Sequence, residues 1–329
     1  MKALALTATG SPDNFQMIER DPTPLKPGYV QVRVHATSVN PVDCKIRSLG
    51  LPFGPDLPGV LHGDVAGVVE AVGDGVTAFN VGDRVYGCAG GVKGEDGALA
   101  ELMACDADLL SPLPDGLDFA EGAALALVAI TAWEGLVDKA QVRPNQKVLI
   151  HAGAGGVGHV AVQLAKAKGC EVYATVSGPD KAALVEGLGA TPINYREADV
   201  DAYVALHTGG AGFDVVYDTV GGDNIPLCWQ AARTNGTVIS CQTNSTHDLT
   251  PLHIKGLTHI GVLMLIPLLS GNGRAHHGLI LREIASLAEA GKMRPILDPV
   301  PFTLETAADA HRHWEARDHV GKIAIRVQA

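Results

Sequence analysis

Three glycines, Gly153, Gly155 and Gly158, stand in the spacing G-x-G-x-x-G within HAGAGGVGHVAVQLAKAKG, residues 151–169. The chemistry that spacing serves is the holding of a pyrophosphate by main chain. The first glycine permits a tight turn, the second lets a phosphate approach the backbone, and the third lets a helix pack closely on a strand. Gly156 and Val157 fall between them and open the helix, whose unpaired N–H groups and positive dipole end would face the phosphates. A mobile loop of the same composition would look alike in isolation, so the flanking elements decide. Val148, Leu149 and Ile150 form a short apolar run before the turn. Val157, Val160, Ala161, Leu164 and Ala165 repeat at helical spacing after it, and Glu171 to Val176 reads as a second strand. Strand, turn, helix and strand together predict a dinucleotide site.

The end of the second strand bears on which dinucleotide. An NAD-specific unit usually carries a carboxylate there, about 20 residues after the glycines, to bind the ribose 2′-hydroxyl. This chain has Ala174-Thr175-Val176-Ser177-Gly178, with Glu171 at the wrong end. Ser177 leaves room for a 2′-phosphate and Lys181 can neutralise it. Lys181 would also suit a solvated helix face, and Asp180 beside it opposes phosphate binding.

The whole chain sets wide bounds on function. Its 329 residues suggest two domains. Nearly half are apolar, and the formal charge is −11 with no basic stretch longer than two residues, which argues against a nucleic-acid partner. The start, MKALALTATG, reads as a first strand and not as a signal peptide. The longest apolar run, Ile260 to Leu269, is broken by Gly261 and Pro267 and is too short for a bilayer, so the expectation is a soluble, cytoplasmic protein without a membrane partner. Six scattered cysteines without C-x-x-C read as reduced thiols.

Residues 1 to about 110 show short runs broken by Gly and Pro: Lys2–Thr7, Gln16–Glu19, Val30–His35, Asp64–Val72, Arg84–Gly87 and Leu99–Ala104. The spacing leaves no room for crossover helices, so this part is expected to be a largely antiparallel, barrel-like domain. From Asp118, with Glu121 three residues on as a capping box, a helical pattern leads into the glycine strand. Strands and helices then alternate: helix 180–187, strand 192–194, helix 200–207, strand 213–220, helix 224–232, strand 237–241 and strand 257–263. That alternation predicts a parallel, doubly wound sheet. Helices over 277–290 and 304–316 precede a closing strand, Lys322–Val327, which needs a sheet to join. The β-rich domain is the one available, making it discontinuous.

With these stretches in view, the sequence resembles the medium-chain dehydrogenase/reductase superfamily, and within it the zinc-independent quinone oxidoreductase branch that includes zeta-crystallin. The resemblance rests on SVNPVDCKIR (38–47), HGDVAGVVEAVG (62–73), GDRVYG (82–87), LVAITAW (127–133), the glycine stretch, INYRE (193–197) and DVVYDTVGG (214–222). It implies an α/β fold: a Rossmann doubly wound parallel sheet at 127–266, plus a β-rich, GroES-like, partly closed barrel from 1–126 and 267–329. It puts Tyr195 beside the 2′-phosphate, and Ser177, Lys181 and Tyr195 together favour NADPH over NADH as cofactor. Val220 and Cys241, at strand ends, complete the expected cofactor set. A homodimer through the cofactor domains, by the edge strand near 257–263, is also implied.

The same resemblance speaks to metal. Where zinc-dependent relatives place a cysteine and a histidine on the catalytic zinc, this chain has Asn40 and Gly63, and only Cys88 and Cys105 lie where a structural zinc lobe would need four cysteines. A displaced site of Cys44, His62 and Asp64 is the rival. His276, His277, His311 and His313 are read as surface residues, since two positions apart on a helix do not share a face. Without a Lewis acid, a quinone or conjugated enone suits the site better than a saturated ketone, because its π system spreads the incoming charge. The resemblance puts Asn40, Asp43 and Thr131 near the nicotinamide, in a cleft between domains: Asn40 as hydrogen-bond donor to the acceptor oxygen and Asp43 as orienter or proton relay. Taken without it, Asn40-Pro41 is a turn, Asp43 a helix cap and Thr131 a hydroxyl bonded to its own helix. Ser48–Gly59 lacks tyrosines often found there in the bacterial enzymes, leaving Lys45, Phe53 and the loop after Leu263 to shape the pocket. The reading that results is a quinone reductase, with an enone or 2-alkenal reductase and a non-catalytic NADPH-binding protein as alternatives.

Overall fold

β-Branched runs punctuated by Gly and Pro fold as strands through the first hundred residues. In order they are β1 (Lys2–Leu6), β2 (Phe15–Glu19), β3 (Tyr29–Ser38), helix α1 (Pro41–Leu49), β4 (Gly59–Val60), β5 (Asp64–Val72), β6 (Arg84–Cys88), β7 (Leu102–Asp106) and β8 (Leu110–Pro112). The computed structural model describes residues 1–317 and 319–328. Helix α2 (Phe119–Trp133) opens on the expected reciprocal cap: Asp118 N donates to Glu121 Oε2 at 2.9 Å and Glu121 N to Asp118 Oδ1 at 2.8 Å. It runs on into a π-helical turn, Glu134–Lys139.

The chain then alternates strand and helix: β9 (Lys147–Ile150), α3 (Gly156–Ala167), β10 (Glu171–Val176), α4 (Pro179–Gly187), β11 (Thr191–Asn194), α5 (Val200–Thr208), β12 (Phe213–Asp218), α6 (Asn224–Ala231), β13 (Ala232–Ser240), α7 (Thr250–Lys255) and β14 (Thr258–Gly261). It closes with α8 (Ile266–Ser270), α9 (Arg274–Glu289), β15 (Phe302–Thr303), α10 (Ala307–Glu315) and β16 (Ala324–Arg326). Two compact units result, Val128–Met264 and Met1–Leu127 with Leu265–Ala329.

In the Val128–Met264 unit the six strands lie in the order β11-β10-β9-β12-β13-β14, all parallel. The chain winds outward from β9 through β11, then crosses to β12 on the other side of β9. That reversal makes a switch point beyond the C-terminal ends of β9 and β12, where ligands of such sheets sit. One core cluster of the unit joins Leu149, Phe213, Val216, Trp229 and Val238.

In the other unit a seven-stranded sheet runs β15-β16-β3-β5-β6-β8, with β7 also paired to β3, and a smaller sheet runs β2-β1-β4. Pairing is antiparallel except between β15 and β16. The closing strand does return: β16 pairs with β3 through Ala324↔Ser38, Ile325↔Thr37 and Arg326↔Ala36. The strand expected at 99–104 is shifted to Leu102–Asp106, since Ala100 makes only a single bridge to Ala3. Helix α1, which the Asn40-Pro41 turn alone does not announce, follows β3 directly.

Candidate active site

The glycine turn has the geometry that its spacing requires. Gly153 N donates to Thr175 O at 3.0 Å and Gly155 N to Ala152 O at 2.9 Å, folding the chain from β9 into α3. A Cβ on Gly158 would stand 2.1 Å from Ala152 O, and one on Gly153 would stand 2.5 Å from Ala174 Cβ. Both positions therefore need glycine for packing of the turn. Gly155 is the N-cap of α3 and gives it no side-chain cap, so Gly156, Val157 and Gly158 open the helix with their N–H groups toward the turn. These residues fit a pyrophosphate.

Beside the turn lies a cavity of about 380 Å³, lined among others by His151, Thr175, Tyr195, Tyr203, Val220 and Asn224. Ser177 follows the end of β10, and Lys181 sits in the first turn of α4. Tyr195 and Val220 are about half exposed, at 53% and 46%. Buried Asp218, at the end of β12, ties down the Val220 loop: it accepts from Val220 N and Gly221 N at 3.0 Å, Asn224 Nδ2 at 2.8 Å and Ser240 Oγ at 2.9 Å. Cys241 follows β13 and donates its amide to Asp218 O at 3.2 Å. Of the sequence-derived cofactor residues, Tyr195 and Val220 line this cavity, and the glycines, Ser177, Lys181 and Cys241 follow the C-terminal ends of β9, β10 and β13 in the same unit. His151 is buried with Nε2 unpartnered, and burial brings its imidazole down to about 4, against a smaller opposing pull from Asp218. Thr131, on α2, is 5% exposed, and its carbonyl accepts from the Tyr217 hydroxyl at 2.8 Å.

Asn40 and Asp43 lie in the other unit, and the structure brings them into one buried cluster. Asp43 does act as a cap: in the first turn of α1 its Oδ2 accepts from Asn40 N at 2.8 Å. Asn40 Nδ2 donates to Asp64 Oδ2 at 2.7 Å, and Asn40 Oδ1 accepts from Lys322 Nζ at 2.5 Å. Ser38 Oγ donates to Asp64 Oδ2 at 2.5 Å, and Leu127 N donates to Asp64 Oδ1 at 2.8 Å. Lys322 also donates to Val39 O at 2.9 Å and lies 3.6 Å from Asp64 Oδ2. Ser38, Asn40, Asp43, Asp64 and Lys322 are each at most 3% exposed. Burial, helped by the Asp64 charge, pushes Asp43 up to about 7. Sequence reasoning missed Lys322, because a lysine near a C-terminus normally reads as solvated; the apolar residues that follow it were the one available signal of burial.

The histidines correct an expectation. His277 and His311 are fully buried, whereas His276 is exposed and His313 partly so. The two-apart rule separates His311 from His313, but α10 turns its Ala307, Ala310 and His311 face inward. His311 Nε2 stands 2.9 Å from His62 Nε2, and its Nδ1 takes the Arg47 Nε–H at 3.3 Å. That bond fixes the tautomer: His311 carries its proton on Nε2 and gives it to His62, whose Nδ1 faces Thr37 Oγ1 at 3.3 Å. Arg47 is buried and bonds Gly10 O and Glu315. Cys44 Sγ lies 3.4 Å from His311 Nδ1, on the side of the ring away from His62, so Cys44, His62 and Asp64 do not converge on one point. No group of three metal-binding side chains is present among the described residues.

Comparison with known proteins follows the two units. An alcohol dehydrogenase GroES-like domain matches residues 26–115, and a zinc-binding dehydrogenase domain matches residues 156–267. The quinone oxidoreductase of Pseudomonas aeruginosa is 34% identical over 98% of this chain and 99% of its own. The chain belongs to the zinc-independent quinone oxidoreductase branch of the medium-chain dehydrogenase/reductase superfamily. As a member of that superfamily it is an oxidoreductase with an alcohol dehydrogenase-like fold. A solved alcohol dehydrogenase superfamily protein from Novosphingobium aromaticivorans shares 42% identity with a TM-score of 0.96, each chain fully covered. The Escherichia coli quinone oxidoreductase, solved with NADPH, shares 29% identity with a TM-score of 0.87 over 99% of this chain and all of that one. The chain also spans only 8–13% of the length of the polyketide synthases it matches, among them a highly reducing one from Arthrinium phaeospermum, 29% identical over 98% of this chain. The residues of the glycine turn fit a cofactor of the NAD(P) type.

Proposed function

We propose that this oxidoreductase uses NADPH to reduce a quinone, without a metal ion. The observation that carries the reading is Lys322. Its ammonium, fully buried and 2.5 Å from Asn40 Oδ1, puts a positive charge beside the residue that matches a zinc ligand of the metal-dependent relatives. A divalent cation would be repelled there, and neither Asn40 nor Gly63 offers a soft ligand. Bound NADPH would supply the hydride. The turn Gly153–Gly158 would hold its diphosphate, and the cavity lined by Thr175, Tyr195 and Val220 would take the adenosine end. Ser177 and Lys181, with no carboxylate at the end of β10, favour the 2′-phosphate over a free 2′-hydroxyl.

Asn40 and Asp43 are 0% and 2% exposed, so in this reading they act from within the buried cluster. Asn40 holds the charged pair Lys322 and Asp64 in place, and Asp43 is the group whose proton is available near neutral pH. Thr131 is assigned to the nicotinamide end. A quinone tolerates this modest assistance because its own π system spreads the charge that arrives with the hydride. We also read the protein as a cytoplasmic homodimer, joined through β14 at the edge of the parallel sheet.

The test is NADPH oxidation by chelator-treated protein, with a simple quinone and a 2-alkenal as acceptors. The expected result is quinone turnover that survives chelation. Lys181→Ala should raise KM for NADPH about tenfold, the size expected for one lost ion pair to phosphate, with NADH little affected. Preference for the alkenal would make the enzyme a double-bond reductase, and restoration of activity only by zinc would overturn the metal-free reading.

A further inference from the structure

We infer that Lys322 makes the buried cluster a store for a single proton: its ammonium neutralises one of two buried carboxylates, Asp64, and leaves the other, Asp43, to hold the proton. The count of bonds assigns the charges. Asp64 accepts from Ser38, Asn40 and Leu127 N, and the Lys322 ammonium lies 3.6 Å away, so three donors and a cation surround its carboxylate. Asp43 Oδ2 accepts from the Asn40 main-chain N–H, and no cation among the described residues lies as close to it as Lys322 does to Asp64. The remaining titratable groups of the cluster add no charge, because burial pushes the Cys88 thiol well up and the Cys44 thiol up, keeping both neutral. One ammonium and one carboxylate make the cluster neutral; a second carboxylate would leave an uncompensated buried charge.

Lys322 also fixes the direction of the Asn40 amide. An ammonium only donates, so Oδ1 must face Lys322 and Nδ2 must face Asp64. Remove the ammonium and that amide has no reason to choose, while the pair of carboxylates loses its neutralising partner. Lys322 is thus a positioning residue that acts through Asn40 and Asp64. The use of the stored proton rests on the proposed reduction: hydride from NADPH plus one proton converts a quinone to a hydroquinone and leaves NADP⁺, and solvent refills the store.

The store can be read without any acceptor. Infrared difference spectra of the whole protein, titrated with acid and base, should show a protonated carboxylic-acid band that disappears near pH 7 and is missing in Asp43→Asn. In Lys322→Met the band should persist to higher pH by one to two units, the shift expected when a close opposite charge is lost. The pH limb of quinone turnover should move in the same direction, with kcat falling more than KM for NADPH rises. Lys322→Arg keeps the charge and should keep the midpoint. Lys322→Met combined with Asp64→Asn removes both charges and should bring the midpoint back, which a merely packing role for Lys322 would not do. Absence of the band in the unmodified protein at pH 6, or an unmoved midpoint in Lys322→Met, would overturn the inference. Intact band titration without quinone turnover would instead sink the functional reading and leave the store standing.

Discussion

At the scale of single residues, the site is legible in sequence where backbone geometry dictates the residue type. A Cβ on Gly158 would meet Ala152 O at 2.1 Å, a contact with main chain that cannot swing aside. Gly158→Ala should therefore displace the start of α3, lower stability by about 1–3 kcal/mol and raise the Kd for NADPH at least tenfold, measured by urea unfolding and by quenching of tryptophan fluorescence. Gly187→Ala, with open space around its Cβ, is the control. Glycines at 153 and 158 could be recognised because nothing else fits there, whereas a Cβ on Gly155 would stand 3.2 Å from Ala152 O, a tight contact that a small shift relieves. Lys322, Asp64 and His311 could not be, because their roles depend on which distant segments meet: β16 brings the 322 region against β3, and α10 brings His311 to His62. A polar residue carries no local sign that its partner lies more than 200 positions away.

At the scale of elements, sequence periodicity placed most helices and strands of the parallel sheet to within a few residues, but it missed α7 between β13 and β14 and what anchors helix ends. Helix α9 was expected from His277 and begins at Arg274, whose N-cap, Gly273, has φ +84° and offers no side-chain cap. What holds that end is Arg274 itself. Its guanidinium reaches Glu95 at 2.7 Å, Asp106 and Tyr29 at about 3 Å, and the carbonyl of Leu268 at 2.8 Å. The carboxylates of Glu95 and Asp106 are 8% and 20% exposed, so losing the cation strands charge in a poorly solvated place. Arg274→Ala should cost about 3–5 kcal/mol by the usual penalty for breaking such a pair. Arg274→Lys should recover only part of it, because an ammonium cannot span the same fork of acceptors. Urea midpoints of the two variants check this, and equal losses for both would mean that charge, and not the planar fork, is unimportant here.

At the scale of the whole molecule, its buried imidazoles and its buried acid oppose one another as pH changes. His62, His151 and His311 are held neutral by burial, with His62 well below 6.5, His151 near 4 and His311 near 3. Unfolding exposes them to water, where each binds a proton below about 6.5. The unfolded state then holds more protons than the folded one, so stability falls as pH drops from 6.5 toward 4. Asp43 works the other way: near 7 in the folded chain and 3.8 in the unfolded one, it keeps a proton on folding that the unfolded chain releases. Its contribution is full below 3.8 and is lost as pH rises through 7. One proton of three is thereby offset, and the net slope between pH 6 and 4.5 should approach two protons, roughly 2.7 kcal/mol per pH unit. Urea midpoints taken at half-unit steps from pH 8 to pH 4.5 should be nearly flat above 7 and decline increasingly steeply below 6. Asp43→Asn removes the opposing group and should steepen that decline toward three protons, whereas His311→Phe should flatten it. A slope that ignores both substitutions would mean that these buried groups do not govern the acid stability of the protein.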